Sequence, residues 1–178
     1  VDYPASSAYV TAVGGTTLTI DPLSETANSL SGGGISSNIA LPSWQAGLTY
    51  QRYFSSNSST SSPIALTTRG VPDIAAPMNG YGFYFNGNVV TVGGTSAGTP
   101  IIAAMVARFI QQSGGKRFGL LNPILYRNPQ AFNDLSTGNN ANPLPDGYAV
   151  TSGWDPVVGL GTPNGEALLA LLNPAPVI

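Results

Sequence analysis

The sequence predicts an α/β fold, and three observations carry that prediction. Short apolar runs recur between glycine and proline punctuation; one of them, 8–13, is apolar enough to ask for neighbours on both faces. A branched apolar strand, Asn88–Val92, feeds through glycines into a long apolar helical stretch at 101–112. A second helical stretch at 162–172 closes the regular structure, with Thr162 as N-cap and Pro163 at the first helical position. The 178 residues suffice for one ordinary domain with a real core.

Taken in order, residues 8–13 read as a buried strand stopped by Gly14-Gly15, and 16–20 as a second strand. Residues 21–70 read mostly as loop, with Gly32-Gly33-Gly34, a Ser-rich run at 55–62, and a short helix anchored by Pro42 and Trp44. Residues 69–77 read as one short strand; Asp73 within it suits a structural carboxylate hydrogen-bonded to backbone. Residues 81–92 read as a hairpin turned by Asn86-Gly87, the strongest short hairpin signal. Its far strand leads to Ser96. The helix beyond, with Pro100 in its first turn and Gly114-Gly115 at its end, is apolar on most sides and is expected to be buried. A short helix at 121–126 and a polar loop at 132–140 follow.

Composition excludes some classes. Charged residues are 8% of the chain, where about a quarter is usual. The six basic residues are scattered, which argues against a nucleic-acid surface. No apolar run is long enough to span a bilayer. There is no cysteine, so disulfides say nothing of the compartment. Val1 does not open a signal peptide, as expected of a processed or trimmed chain. Full acidification leaves only the six basic charges, a modest self-repulsion compatible with acidic surroundings. One glycosylation sequon stands at Asn57-Ser58-Ser59.

The chemistry centres on Gly93-Gly94-Thr95-Ser96-Ala97-Gly98-Thr99-Pro100. Ser96 sits at a glycine-flanked strand-to-helix turn. There a helix N-terminus offers N–H groups and positive potential to a developing anion. These features suit a nucleophilic serine supported by Gly94 and Thr95; they also suit a plain helix cap. Residues 94–98 match the G-x-S-x-G elbow of α/β-hydrolases, but that fold needs a His after the Ser and the chain has no His. The subtilisin order of Asp, His, Ser places the missing members upstream.

Gly94-Thr95-Ser96-Ala97 with Pro100, the stretches 69–76 and 9–16, and Gly153-Trp154-Asp155-Pro156 through Asn164 resemble the sedolisins. These are serine-carboxyl peptidases related to subtilisin that include tripeptidyl peptidases. The resemblance implies a subtilisin-like fold, a parallel sheet flanked by helices. It implies peptide-bond hydrolysis in acid through an acyl-enzyme on Ser96, with a Glu base in place of His. In that family a Glu and an Asp on one helix complete the triad, and another Asp helps bind the oxyanion. The acids here are Asp2, Asp21, Glu25, Asp73, Asp134, Asp146, Asp155 and Glu166, and none has the Glu-x-x-x-Asp spacing. Glu25, in a polar loop, and Glu166 read as surface groups. Residues 1–178 are therefore expected to be the C-terminal part of one catalytic domain, acting on a peptide or protein substrate. A companion chain or upstream segment would carry the Glu, the Asp and the oxyanion Asp.

The resemblance further implies a calcium site within residues 132–161. Its ligands would be the Asp134 and Asp155 carboxylates, the Leu135, Thr151 and Gly153 carbonyls, and water; Thr151 stands where the family usually has Gly. It also implies a secreted protein or one of an acidic vacuolar-lysosomal compartment, and no membrane or nucleic-acid partner. Two alternatives stay open: a subtilisin-type protease with an upstream His, and a non-catalytic, calcium-stabilised fragment in which Ser96 only caps a helix.

Overall fold

A computed structural model describes residues 1–21, 23–56, 66–141 and 147–173. The central sheet has the order β2-β1-β5. Strand β1 (Val13–Ile20) pairs antiparallel with β2 (Leu23–Ala27), from Thr16 opposite Ala27 to Ile20 opposite Leu23. Its first half pairs parallel with β5 (Ile74–Pro77), from Val13 opposite Ile74 to Thr16 opposite Pro77. The sheet is thus mixed, with one parallel pair among the described residues. The two strands expected over 8–20 are one, starting at Val13. Gly14-Gly15 does not stop it: Met78 Sδ occupies the place a Cβ on residue 15 would take, so glycine there serves close packing inside the strand. Tyr9, expected in a buried strand, is 86% exposed.

The stretch read as loop holds three further elements. They are β2, β3 (Gly34–Ala40) and helix α1 (Leu48–Ser56). β3 is half polar, and what makes it a strand is antiparallel pairing with the fully buried β4 (Thr68–Val71). The short helix expected at 41–45 is a turn, although Trp44 does anchor it. Its ring lies 5.1 Å from that of Tyr126 and 5.0 Å from the Arg69 guanidinium carbon. On α1, Tyr50, Tyr53 and Phe54 surround the buried Trp154 with ring centroids 4.5, 6.1 and 6.3 Å away. The single strand expected at 69–77 is two, β4 and β5, divided by Pro72 and Asp73.

The hairpin β6 (Tyr81–Phe85) and β7 (Asn88–Val92) forms as expected, with Asn86 at φ 50° and Gly87 at φ 79°. Helix α2 (Thr95–Gln112) starts earlier than the apolar run implied, and Pro100 lies inside it rather than at its start. The ring nitrogen of Pro100 cannot donate to the Ser96 carbonyl. Only Gly98, Ile102 and Phe109 of α2 are buried, and Ile101 is 46% exposed. The helix expected to be buried all round has one face packed and one apolar face open.

Helix α3 (Asn122–Arg127) and a 3₁₀ turn (Pro129–Ala131) precede β8 (Phe132–Asn133). β8 pairs with β9 (Thr162–Pro163), and α4 (Gly165–Leu172) follows. Thr162 is therefore not the N-cap. Strand pairing claims it, and Asn164 caps α4 by accepting the Ala167 N–H at 3.0 Å. Glu25 is no free surface group either: it lies in β2 and accepts hydroxyl hydrogen bonds from Thr16 (2.5 Å) and Thr162 (3.0 Å). Glu166 is exposed on the first turn of α4.

Beside β5 lies a buried ion pair. Arg69 and Asp73 are both fully buried, with contacts of 2.9 and 2.7 Å between guanidinium and carboxylate. Asp73 also accepts from the Ala12 N–H (2.7 Å) and the Tyr126 hydroxyl (2.9 Å). It is structural, as expected, but its partners are mostly side chains. Burial works against the charge on Arg69, and the Asp73 carboxylate outweighs it, leaving the guanidinium above its ordinary range.

Candidate active site

The sheet and hairpin bring the chain to Ser96 in a defined way. Gly94 is the N-cap of α2 with φ 97°, a left-handed value that a side chain would resist. Its N–H donates to the Met78 carbonyl at 2.7 Å, tying the corner to the end of β5. Its carbonyl accepts from Ala97 (2.9 Å) and Gly98 (3.4 Å), which winds the first turn. Thr95 and Ser96 thus occupy the first two helical positions, whose N–H groups have no partner inside the helix. Ser96 is exposed, and among the described residues no side chain bonds its Oγ. It does not cap the helix; the cap side chain is absent because the cap is glycine.

Two cavities meet at this corner, and Thr95 lines both. One, of about 350 Å³, is lined by Val1, Asp2, Gly32, Gly33, Val71 and Pro72 among others. The second, of about 630 Å³, is lined by Ser96 itself with Leu30, Met78, Asn79 and Val92. The sequence marked Ser96, Gly94 and Thr95; it did not mark the 28–33 turn that walls both cavities. The Gly32-Gly33-Gly34 run was the available signal, since backbone must approach closely there.

The C-terminal loops gather the other predicted residues. Asp155 is fully buried; its Oδ1 accepts from the N–H groups of Val157 and Val158 (both 2.9 Å), and its Oδ2 from that of Thr151 (3.0 Å). Asp134 is exposed, and its Oδ2 accepts from Ser152 Oγ (3.1 Å) and the Gly153 N–H (2.9 Å). Burial pushes the Asp155 carboxyl up to about 7 against those backbone donors, and the Asp134 charge adds to the rise. The two carboxylates are thus close enough for one charge to act on the other, and among the described residues no ion pair from a cationic side chain reaches either. The Thr151 hydroxyl is buried without a partner, and no hydrogen bond among the described residues reaches the Leu135, Thr151 or Gly153 carbonyls. Such an all-oxygen set, short of positive charge, fits a hard cation. No cluster of three or more acidic, His or Cys side chains exists among the described residues, so carbonyls would have to complete the shell. Among the described residues no hydrogen bond links these loops to Ser96. Asn57 lies outside the described residues.

The model of the Subtilase family matches residues 1–120, which include Ser96 and the strand and glycines that place it. This chain belongs to the subtilase family. Its likeness to the sedolisins rests on several proteins. Kumamolisin of Bacillus sp. (strain MN-32) is 41% identical over 98% of this chain and 33% of its own length. Tripeptidyl-peptidase 1 of Homo sapiens is 38% identical over 97% of this chain and 33% of its own. The solved Pseudomonas sedolisin, a serine-carboxyl proteinase complexed with two molecules of pseudo-iodotyrostatin, is 30% identical. It superposes with a TM-score of 0.74 over 94% of this chain and 47% of that one. The subtilisin-like fold and the sedolisin resemblance are thereby borne out. The chain spans about a third of the length of these curated relatives. Among the described residues no helix is long and apolar enough to cross a membrane.

Proposed function

We propose that this chain carries the nucleophile of an acid-acting serine-carboxyl peptidase and forms the C-terminal part of its catalytic domain. The observation that carries the reading is Ser96: exposed, unbonded at Oγ among the described residues, fixed on the first turn of α2 by a glycine cap, and lining one of the two cavities at this corner. Ser96 Oγ attacks the substrate carbonyl, and the free N–H groups of the first turn face the charge that develops on the carbonyl oxygen. The base is a Glu steered by an Asp, and a further Asp completes the oxyanion site. All three lie in a companion chain or upstream segment, since this chain has no Glu-x-x-x-Asp pair. The open apolar face of α2, including Ile101 and Val106, is where that part of the domain packs.

The C-terminal loops bind calcium through Asp134, Asp155 and the carbonyls of Leu135, Thr151 and Gly153. The ion supplies positive charge between two carboxylates and cross-links the loops; its role is structural. The working environment is extracellular or an acidic vacuolar-lysosomal compartment. The test is Ser96→Ala in the complete enzyme. Loss of a serine protease's nucleophile costs about 10⁶-fold in kcat where the triad acts as a unit. A folded variant that retains wild-type turnover removes Ser96 from this role.

A further inference from the structure

Residues 1–11 belong to no strand or helix, yet Val1, Asp2 and Ala5 line the smaller cavity at the Ser96 corner together with Gly33, Pro72 and Thr95. Within the segment the backbone bonds only locally. The Ser6 N–H donates to the Asp2 carbonyl (3.0 Å), that of Ser7 to Pro4 (2.9 Å) and that of Val10 to Ser7 (3.4 Å). Among the described residues, every hydrogen bond that ties 1–11 to the rest of the chain ends on Arg69 or Asn122. Arg69 Nε donates to the Ser7 carbonyl (3.0 Å), and Nη2 to that of Val10 (3.1 Å). Asn122 Nδ2 donates to the same Val10 carbonyl (3.0 Å), and Asn122 Oδ1 accepts from Thr11 Oγ1 (2.6 Å). Both anchors are fully buried.

The Arg69 guanidinium therefore works in two directions. Nη1 and Nη2 meet the Asp73 carboxylate, while Nε and Nη2 reach the segment. Stability alone does not call for an arginine here, because apolar residues of similar volume often replace a buried ion pair at no cost or with a gain. Apolar side chains cannot donate to the Ser7 and Val10 carbonyls. A lysine keeps the charge, but its single ammonium lacks the planar fork of donors that spans Asp73 and both carbonyls. Without that fork the segment is left to Asn122, and a stretch with so few ties opens locally.

We infer that Arg69 is a positioning residue for the reaction at Ser96: it holds residues 1–11, and with them the cavity wall beside Thr95, in a role separate from its ion pair. The inference rests on Ser96 being the nucleophile, because that serine makes the neighbouring wall part of the reaction's surroundings. A displacement of about 1 Å in such surroundings costs up to about 10²-fold in rate.

The test uses the complete enzyme. Tm is measured, and kcat and KM on one peptide substrate are read per folded molecule, well below Tm. Arg69→Lys keeps a cation beside Asp73 and loses the clamp. Its kcat/KM falls about tenfold or more, its Ser6 and Ser7 amides exchange hydrogen faster, and its Tm falls less than that of Asp73→Ala. Arg69→Met/Asp73→Leu regains Tm over Asp73→Ala without regaining kcat/KM, a split that lost stability cannot produce. Thr11→Val spares the ion pair and lowers kcat/KM in the same direction. Should Arg69→Lys not fold, the other two variants decide. Wild-type kcat/KM in both Arg69→Lys and Thr11→Val, or a double variant that regains kcat/KM together with Tm, overturns the positioning role; the nucleophile stands if cleavage still requires Ser96. If cleavage proceeds equally in Ser96→Ala, the nucleophile reading itself fails and the positioning role with it.

Discussion

Removing Asp73 should destabilise the protein more than almost any other single change outside the hydrophobic core. Asp73→Ala leaves Arg69 fully buried with its charge unpaired, because the carboxylate supplies both of its short acidic contacts (2.9 and 2.7 Å). The remaining acceptors, the Ser7, Val10 and Gly70 carbonyls at 3.0, 3.1 and 3.4 Å, offer dipoles rather than a counter-charge. Breaking a buried ion pair from one side costs about 3–5 kcal/mol. The Ala12 N–H and Tyr126 hydroxyl also lose their acceptor, but these losses share the same cavity and do not simply add. A loss of that size lowers Tm, by less per kcal/mol than the roughly 2–4 °C of a domain of 150–250 residues, because the complete domain is larger than this chain. Scanning calorimetry of the complete protein reads it directly. The double variant Arg69→Met/Asp73→Leu removes the stranded charge and should recover much of the loss. A single variant within about 1 kcal/mol of wild type, or a double variant no better than the single, refutes the reasoning.

Two further outcomes concern the C-terminal loops. Chelation of divalent cations should lower Tm, because a ligand that binds only the folded state stabilises it by mass action; an unchanged Tm after verified metal removal rejects the site. Asp155→Ala should lower Tm as well, and chelator should then lower it no further; a full additional drop places the metal elsewhere.

The Ser96 corner was the most legible part of the chain, because its signals are local. A branched strand, a glycine pair and an apolar helical run fix a strand–helix turn without help from distant residues, and Asn86-Gly87 fixes the hairpin before it. The failures were non-local. β3 is polar along half its length, and only pairing with β4 makes it a strand. Gly14-Gly15 reads as a stop until Met78 is seen packed against it. Thr162-Pro163 reads as a helix start, but pairing with Phe132 and Asn133 takes precedence. Asp73 was legible as structural, whereas its ion pair was not: Arg69 and Asp73 meet only because the chain turns at Pro72. The walls beside Ser96 were hidden for the same reason, since the 28–33 turn reaches the site through β1. The composition of α2 predicts a helix buried all round, and the described chain covers only one of its faces.

The most direct test of the central claim is the pH dependence of kcat/KM for the complete enzyme on a peptide substrate, with folding checked at each pH. A carboxylate base must be ionised to take the Ser96 proton, and an ordinary Glu titrates near pH ~4.3, against ~6.5 for His. The Glu and its Asp partner titrate together, so the observed value belongs to the pair. An acyl-enzyme on Ser96 with a carboxylate base predicts a rate whose rising limb lies in acid and which is already high well below neutrality. A rate that rises only near or above neutrality, in protein that stays folded across the acid range, contradicts it and favours a histidine base of the subtilisin type.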